Sequence, residues 1–319
     1  MKIYVKTPAR LHLGLIDMNG DLGRIFGGLG VGIEYPNVVL ETQKSSSFIF
    51  TGEKEELTRE IATRFLDACR LTEKVAIRVI EVIPEHVGLG SGTQLALAVS
   101  SSIANLFNVK ATPYEFAATM GRTAQSGVGT AVFAHGGLVV EAGKNTQDPN
   151  RKIIPPICRL PFPSDWRFVV AIPKSKKGLA NEAEASAFEN LPPMPEEHVG
   201  KICRLLIMKL LPAVIEKEIR SFGEALTEIQ RIVGDNFAEA QGGRFASSLA
   251  RECVEFMLSN GACGSGQSSW GPTVYGVIHC NNAKNLELKT KRFLKTNADG
   301  GDVFISKVKN RGAIIKVIR

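Results

Sequence analysis

Long apolar runs are missing from this chain. No stretch of about 18 consecutive apolar residues occurs, which excludes a membrane-spanning helix. The opening Met-Lys-Ile-Tyr-Val-Lys-Thr-Pro reads as a strand without a signal-peptide core, so a cytoplasmic location is the expectation. Cysteine is scarce and scattered: Cys69, Cys158, Cys203, Cys253, Cys263 and Cys280 form no C-x-x-C pair. The common zinc spacings are therefore absent, and the size of the chain argues against a disulfide framework. A basic stripe interleaved with aromatics is also lacking, which argues against nucleic acid as a partner. The formal charge of +7 does not reverse this, because residues 284–319 hold ten Lys or Arg against Glu287, Asp299 and Asp302. Apolar Val303, Ile305, Ile314, Ile315 and Val317 run through the same stretch, so it reads as the solvated face of folded elements. With 44% hydrophobic and 22% charged residues, the 319-residue chain is of ordinary globular composition and long enough for two domains.

The most informative stretch runs from Pro84 to Phe107. A β-rich segment, Val75 to Val82, precedes the loop Gly88-Leu89-Gly90-Ser91-Gly92-Thr93, and an apolar helical run follows. Strand, glycine loop and helix in that order gather unpaired N–H groups and a positive helix end at one point, which suits a phosphate. Ser91 and Thr93 are candidate helix caps. A tight connection with no ligand has the same appearance. No Lys follows the last glycine, so this is not a Walker loop, and the spacing is not G-x-G-x-x-G.

Other segments offer polar groups. Residues 2–15 read as one or two strands, with Arg10 and His12 on one face. That face is either a site lining or solvated. Asp17, Asp21 and Arg24 lie in a turn-rich loop and are candidates for a pocket rim. The run Gly27-Gly28-Leu29-Gly30-Val31-Gly32 is too glycine-rich for a strand without close packing or a bulge. Val38–Thr42 and Ser47–Phe50 read as a hairpin, Glu55–Arg70 as a helix, and residues 197–233 as helix broken at Pro212. Gln125 and Ser126 fall in a second polar loop, and Glu184 in a short helix after the basic run at Lys174. The Pro-rich stretch 144–165 suggests a boundary between domains 1–158 and 159–319. A late loop, Cys263-Gly-Ser-Gly-Gln267-Ser268-Ser269-Trp270-Gly-Pro, leads into a strand.

Taken in order, Pro8-Ala-Arg10-Leu-His12-Leu-Gly14, the Gly88–Thr93 loop, Ser126-Gly-Val-Gly129 and Gly266-Gln-Ser-Ser-Trp-Gly-Pro-Thr-Val-Tyr275 resemble the GHMP superfamily. That superfamily is named for galactokinase, homoserine kinase, mevalonate kinase and phosphomevalonate kinase. The resemblance covers almost the whole chain. It implies an α+β fold of two domains, the N-terminal one ribosomal-protein-like and the C-terminal one ferredoxin-like. Arg10-Leu-His12-x-Gly-Leu-Ile-Asp17-Met, Arg24 with Gly27-Gly28-Leu-Gly30, and Gly266 to Gly276 are similar to the β-ribofuranosylaminobenzene 5′-phosphate synthases of methanopterin biosynthesis. One departure from the kinases fits: Gly129 stands where many of them carry a catalytic Asp. A small-alcohol kinase remains the alternative.

The resemblance implies decarboxylating transfer from phosphoribosyl pyrophosphate to 4-aminobenzoate or 4-hydroxybenzoate. Gly88, Leu89, Gly90, Ser91, Gly92 and Thr93 then hold phosphate, with Mg2+ expected and no organic cofactor. Asp17 or Glu184 stabilises an oxocarbenium ion, and His12 either shuttles a proton or is structural. Arg10, Arg24, Gln125, Gln267, Ser268 and Ser269 are candidates for the 5′-phosphate or the carboxylate. Trp270 either stacks on the ring or anchors packing. The usual phosphoribosyltransferase loop is missing. Small molecules are the expected partners, without membrane or nucleic acid, and a homodimer is one expectation for the assembly.

Overall fold

The computed structural model describes residues 1–122, 126–148, 150–174, 188, 191–297 and 300–318. The fold is α+β, with helices packed on three sheets. The first sheet has the order β14 (Ile314–Ile318), β1 (Lys2–Lys6), β4 (Val39–Ser45), β6 (Lys74–Glu81), β5 (Ile49–Gly52). In β1 the alternation is plain: Ile3 and Val5 are buried between lysines that stay partly solvated. The expected β4–β5 hairpin does not form. β6 lies between them, antiparallel to β4 and parallel to β5. The helix Glu55–Ala68 is the reason, since a strand–helix–strand crossover returns the chain parallel to the strand it left.

The second sheet runs β2 (Ala9–Asp17), β3 (Arg24–Ile33), β7 (Leu138–Glu141), β9 (Pro156–Leu160), with β8 (Lys144–Asn145) beside the start of β3. The glycine-rich run is thus a regular strand, and close packing is why. A Cβ on Gly30 would sit 2.5 Å from Val128 Cγ1. The register of β2 against β3 shifts between His12 and Gly14. The third sheet runs β11 (Gly264–Gln267), β12 (Val274–His279), β10 (Trp166–Pro173), β13 (Gly301–Ser306). The late glycine/serine stretch is therefore a hairpin, with Ser268–Thr273 at its tip.

The two halves are interlaced. The boundary at 158/159 falls inside β9, and β14 returns from the C-terminus to pair with β1. One buried cluster runs from Ile3 and Leu11 to Trp166 and Phe222. Among the described residues, no helix is long and apolar enough to cross a membrane.

Pro212 does not break its helix. Glu196–Leu205 passes through a π turn, Leu206–Leu210, into Leu211–Glu216, and the chain turns at Lys217 with φ of 61°. A wider turn removes the need for the N–H that proline lacks. The long helix Ile219–Gln241 follows and crosses β11 at a glycine–glycine contact. A Cβ on Gly223 would lie 2.0 Å from the Cys263 carbonyl oxygen, and one on Gly264 would lie 2.4 Å from Gly223 Cα. That contact carries Gln230, on the same helix, towards β2. We expect Gly264→Val to cost about 1–3 kcal/mol through overpacking, read as a lower midpoint in urea. An unchanged midpoint would contradict the close approach.

Candidate active site

The helix Ser91–Phe107 begins at Gly90, whose φ is 80° and which has no side chain to cap the first turn. The expected caps Ser91 and Thr93 lie inside the helix instead. Its first N–H groups therefore remain for a ligand, at the positive end of the dipole. The loop before it is clamped from two sides. From β2, Arg10 Nη1 donates to the Gly88 carbonyl, and the Arg10 N–H donates to Leu89 O at 3.1 Å. From the β11–β12 tip, Ser268 Oγ donates to the same Gly88 carbonyl at 2.6 Å and accepts the His12 N–H at 2.9 Å. Thr273 N–H adds a bond to Val87 O at 3.2 Å. The glycine loop and the late loop thus meet directly, and Cys263, at the far end of that hairpin, is not part of the contact.

A cavity of about 220 Å³ opens at this junction. Arg10, His12, Thr93, Ser126, Gln267, Ser269 and Trp270 line it, as the sequence led us to expect of most of them. Their roles differ. Gln267 is saturated: its N–H bonds Gln230 Oε1 at 2.9 Å, its Oε1 accepts from Ala246 N–H at 2.8 Å, and its Nε2 donates to Ser269 O at 2.9 Å. Gln230 Nε2 then reaches Leu13 O at 2.7 Å, tying helix, hairpin and β2 together. Ser268 is fully buried and acts as the latch described above. Trp270 is both wall and anchor. It meets Phe237 edge-on at 4.6 Å and Phe188 at 5.3 Å between ring centroids, and Phe245 completes the aromatic side.

Arg122 was not singled out by sequence. It lines the cavity, and its Nη1 lies 3.3 Å from where a Cβ on Gly92 would be. Its Nε is buried without a partner, and burial together with nearby Arg64 lowers its proton affinity. A guanidinium so placed beside a helix N-terminus is suited to a phosphate. The phenylalanines had no local signal, whereas Arg122 directly precedes the polar loop that holds Gln125 and Ser126. A second cavity of about 610 Å³, lined by Arg64, Lys144, Arg151 and Lys152, shares Gly121 with the first.

His12 is buried, and its Nε2 lies 3.2 Å from Ser126 Oγ. Ser126 Oγ donates to Glu141 Oε1 at 3.1 Å. Glu141 also accepts the Gly127 N–H at 3.1 Å and the Gly143 N–H at 2.6 Å. Burial, and then the Arg10 charge, press the His12 pKa down from 6.5 to about 3, so the ring is neutral. Burial raises the Glu141 pKa despite the opposing hydrogen bonds and Arg24. Glu141 went unnoticed in sequence. Its one signal is a lone carboxylate closing the apolar strand Leu138-Val139-Val140.

Two candidates stand away from the cavity lining. Asp17 Oδ1 accepts its own turn's N–H groups, from Asn19 at 2.7 Å and Gly20 at 3.0 Å, and the Asp17 charge is felt at Cys203. A carboxylate in a rigid turn stabilises the turn, which is why its sequence neighbourhood looked functional. Arg24 donates to Ala142 O at 2.7 Å and Gly143 O at 2.9 Å, bracing the turn beside Glu141. Gln125 and Glu184 lie outside the described residues. No group of three His, Cys, Asp or Glu able to hold a metal occurs among the described residues, and the oxygens of Glu141 are taken. These residues do not fit a pre-built Mg2+ site. Gly129 packs against Thr93, with its notional Cβ 3.1 Å from Thr93 Cγ2, and Gln94 Nε2 bonds its carbonyl at 2.8 Å.

A clamped glycine loop at a bare helix end, facing a hairpin from the other half, defines a phosphate-handling enzyme of GHMP architecture. The family models described as GHMP kinases N terminal domain and GHMP kinases C terminal match residues 56–137 and 210–295. The homoserine kinase of Cytophaga hutchinsonii superimposes with a TM-score of 0.70 at 16% identity, covering 99% of this chain and 97% of that one. The beta-ribofuranosylphenol 5'-phosphate synthase of Archaeoglobus fulgidus is 36% identical over 99% of this chain and 100% of its own length. The enzyme of that name from Methanothermobacter thermautotrophicus is 35% identical over 87% and 89%. The chain belongs to the beta-ribofuranosylphenol 5'-phosphate synthase family of the GHMP superfamily.

Two outcomes follow from the geometry. Arg122→Gln should weaken pyrophosphate binding about 10–100-fold by calorimetry, the range for a lost charge-assisted hydrogen bond; equal affinity would remove Arg122 from the anion site. The second concerns acid stability. The unfolded chain protonates His12 near 6.5 and the folded chain only near 3, so the unfolded state binds more protons in that window. Stability should therefore drop as pH falls through it, and urea titrations of His12→Gln should show a shallower drop than wild type.

Proposed function

We infer that the chain is a decarboxylating pentosyltransferase. It moves the 5-phosphoribosyl group of phosphoribosyl pyrophosphate onto the ring carbon of a 4-substituted benzoate, releasing CO2 and pyrophosphate, in methanopterin biosynthesis. The observation that carries this is the lining of the cavity. Arg10 and Arg122 lie against the uncapped helix end, and the same lining carries the ring cluster of Phe188, Phe237 and Trp270, with Arg244 beside Phe245. The relatives' name specifies a phenol product, which favours 4-hydroxybenzoate over 4-aminobenzoate as the acceptor.

The chemistry needs the pyrophosphate to leave with the C1–O electron pair. The helix end and the two guanidiniums meet that growing charge, as preorganised donors do in acyl and phosphoryl transfers. The ring carbon bearing the carboxylate then bonds to C1, against an aromatic wall that excludes water. Loss of CO2 returns the electron pair to the ring and restores aromaticity. No acceptor hydroxyl has to be deprotonated for attack by oxygen, which agrees with Gly129 supplying no carboxylate. A cytoplasmic location suits such substrates.

With carboxyl-labelled 4-hydroxybenzoate, labelled CO2 and pyrophosphate should appear in equal amounts. Phe237→Ala should raise the acceptor KM about tenfold, with the donor KM little changed, as expected for losing part of an aromatic wall. ADP formed from ATP and a small alcohol, or a product that keeps its carboxylate, would overturn the reading.

A further inference from the structure

Glu141 is a fully buried carboxylate on β7, with no Lys, Arg or His in ion-pair contact among the described residues. Burying a carboxylate without an ion pair is costly unless its oxygens are well bonded. Here they are bonded by two backbone N–H groups and by Ser126, and through Ser126 they connect to a ring in the active cavity. The surroundings are shaped around this chain. A Cβ on Gly28 would lie 2.5 Å from Glu141 Oε1 and 3.0 Å from Ser126 Oγ, so only glycine leaves room for it. Arg24 holds the Ala142 and Gly143 carbonyls that position the turn.

The hydrogen-bond inventory sets the direction of the chain. Ser126 has one hydroxyl proton and two lone pairs. The proton goes to Glu141, and one lone pair takes the Val128 N–H at 3.1 Å. The other is left for His12, so His12 must donate from Nε2–H. The neutral ring then keeps its acceptor lone pair on Nδ1.

We propose that His12, Ser126 and Glu141 form a proton relay that takes the hydroxyl proton of a phenolic acceptor during ring attack and returns it after decarboxylation. The proposal rests on the phosphoribosyl-transfer reading above. As the ring carbon bonds to C1 and the C1–O bond to pyrophosphate breaks, the phenol oxygen forms a C=O bond and its proton passes to His12 Nδ1. Nε2–H passes its proton to Ser126, whose own proton moves to Glu141. When the ring-to-carboxylate bond breaks and CO2 leaves, that electron pair restores the aromatic ring. The oxygen becomes phenolate and recovers a proton by the reverse transfers, so no proton is consumed. His12 alone holds a proton poorly, because burial and Arg10 oppose its charge; burial raises the proton affinity of Glu141, which makes it the better resting place. His12 is the catalytic residue that touches the acceptor, and Ser126 and Glu141 act through it.

The test compares wild type with Glu141→Gln and Ser126→Ala, each checked for an intact thermal transition. One acceptor is 4-hydroxybenzoate and the other is its 3,5-difluoro analogue, whose hydroxyl is already ionised at neutral pH. With 4-hydroxybenzoate, CO2 release should fall about 100-fold in both variants, within the range for losing proton-transfer catalysis. With the difluoro acceptor the same variants should fall much less, because no proton has to be removed. Nitrogen-15 spectra of the wild-type enzyme should show His12 protonated at Nε2. Equal losses with both acceptors, or a proton on Nδ1, would overturn the relay while leaving the transfer reaction standing. No CO2 from either acceptor with wild type would reject the transfer reaction, and the relay with it.

Discussion

Everything at the site depends on what happens to one carbonyl, that of Gly88. It accepts from Arg10 on β2 and from Ser268 on the tip of the β11–β12 hairpin. Two elements almost the full chain length apart thus converge on the loop that precedes the helix Ser91–Phe107. A loop held this way presents its helix end in a fixed direction, and the uncapped N–H groups need no reorganisation to meet an anion. Gly88 has φ of 86°, and a Cβ there would lie 2.2 Å from the Ser268 carbonyl oxygen, so the clamp closes only on glycine.

Two guanidiniums lie close to that clamp. Arg10 sits at its centre, bonded to the loop and depressing the basicity of His12. Arg122 approaches from the other side of the helix end. The rings of Trp270, Phe237 and Phe188 stand edge to face. Guanidiniums against a helix end and a cluster of aromatic rings thus line one small cavity. Glu141 is buried and, among the described residues, in no ion pair, the condition under which a carboxylate becomes readier to take a proton.

The architecture was largely legible in residue order. The glycine loop, the apolar helix behind it and the Arg10/His12 strand face were read correctly, because each is a local pattern with a local cause. The β4–β5 hairpin was misread, since alternation shows that strands exist but not which strand lies between them. Pro212 suggested a break that a π turn absorbs. Asp17 and Arg24 looked like site residues because a turn that needs an Asx bond and a brace uses the same residue types as a binding rim. Arg122 precedes and Glu141 closes the polar run from Thr123 to Glu141, but the run alone does not show which of its members reach the cavity.

The sequence by itself determined the glycine loop before an apolar helix, the lack of a carboxylate at Gly129 and the family, because these are written in contiguous residues whose backbone needs are local. Only the tertiary structure decided which side chains share the cavity. Arg122 reaches the helix end, Phe237 faces Trp270, and Glu141 reaches His12 through Ser126, because separate sheets and a long helix are packed at glycine contacts. Such meetings depend on distances between elements far apart in the chain, and no run of neighbouring residues encodes a distance of that kind.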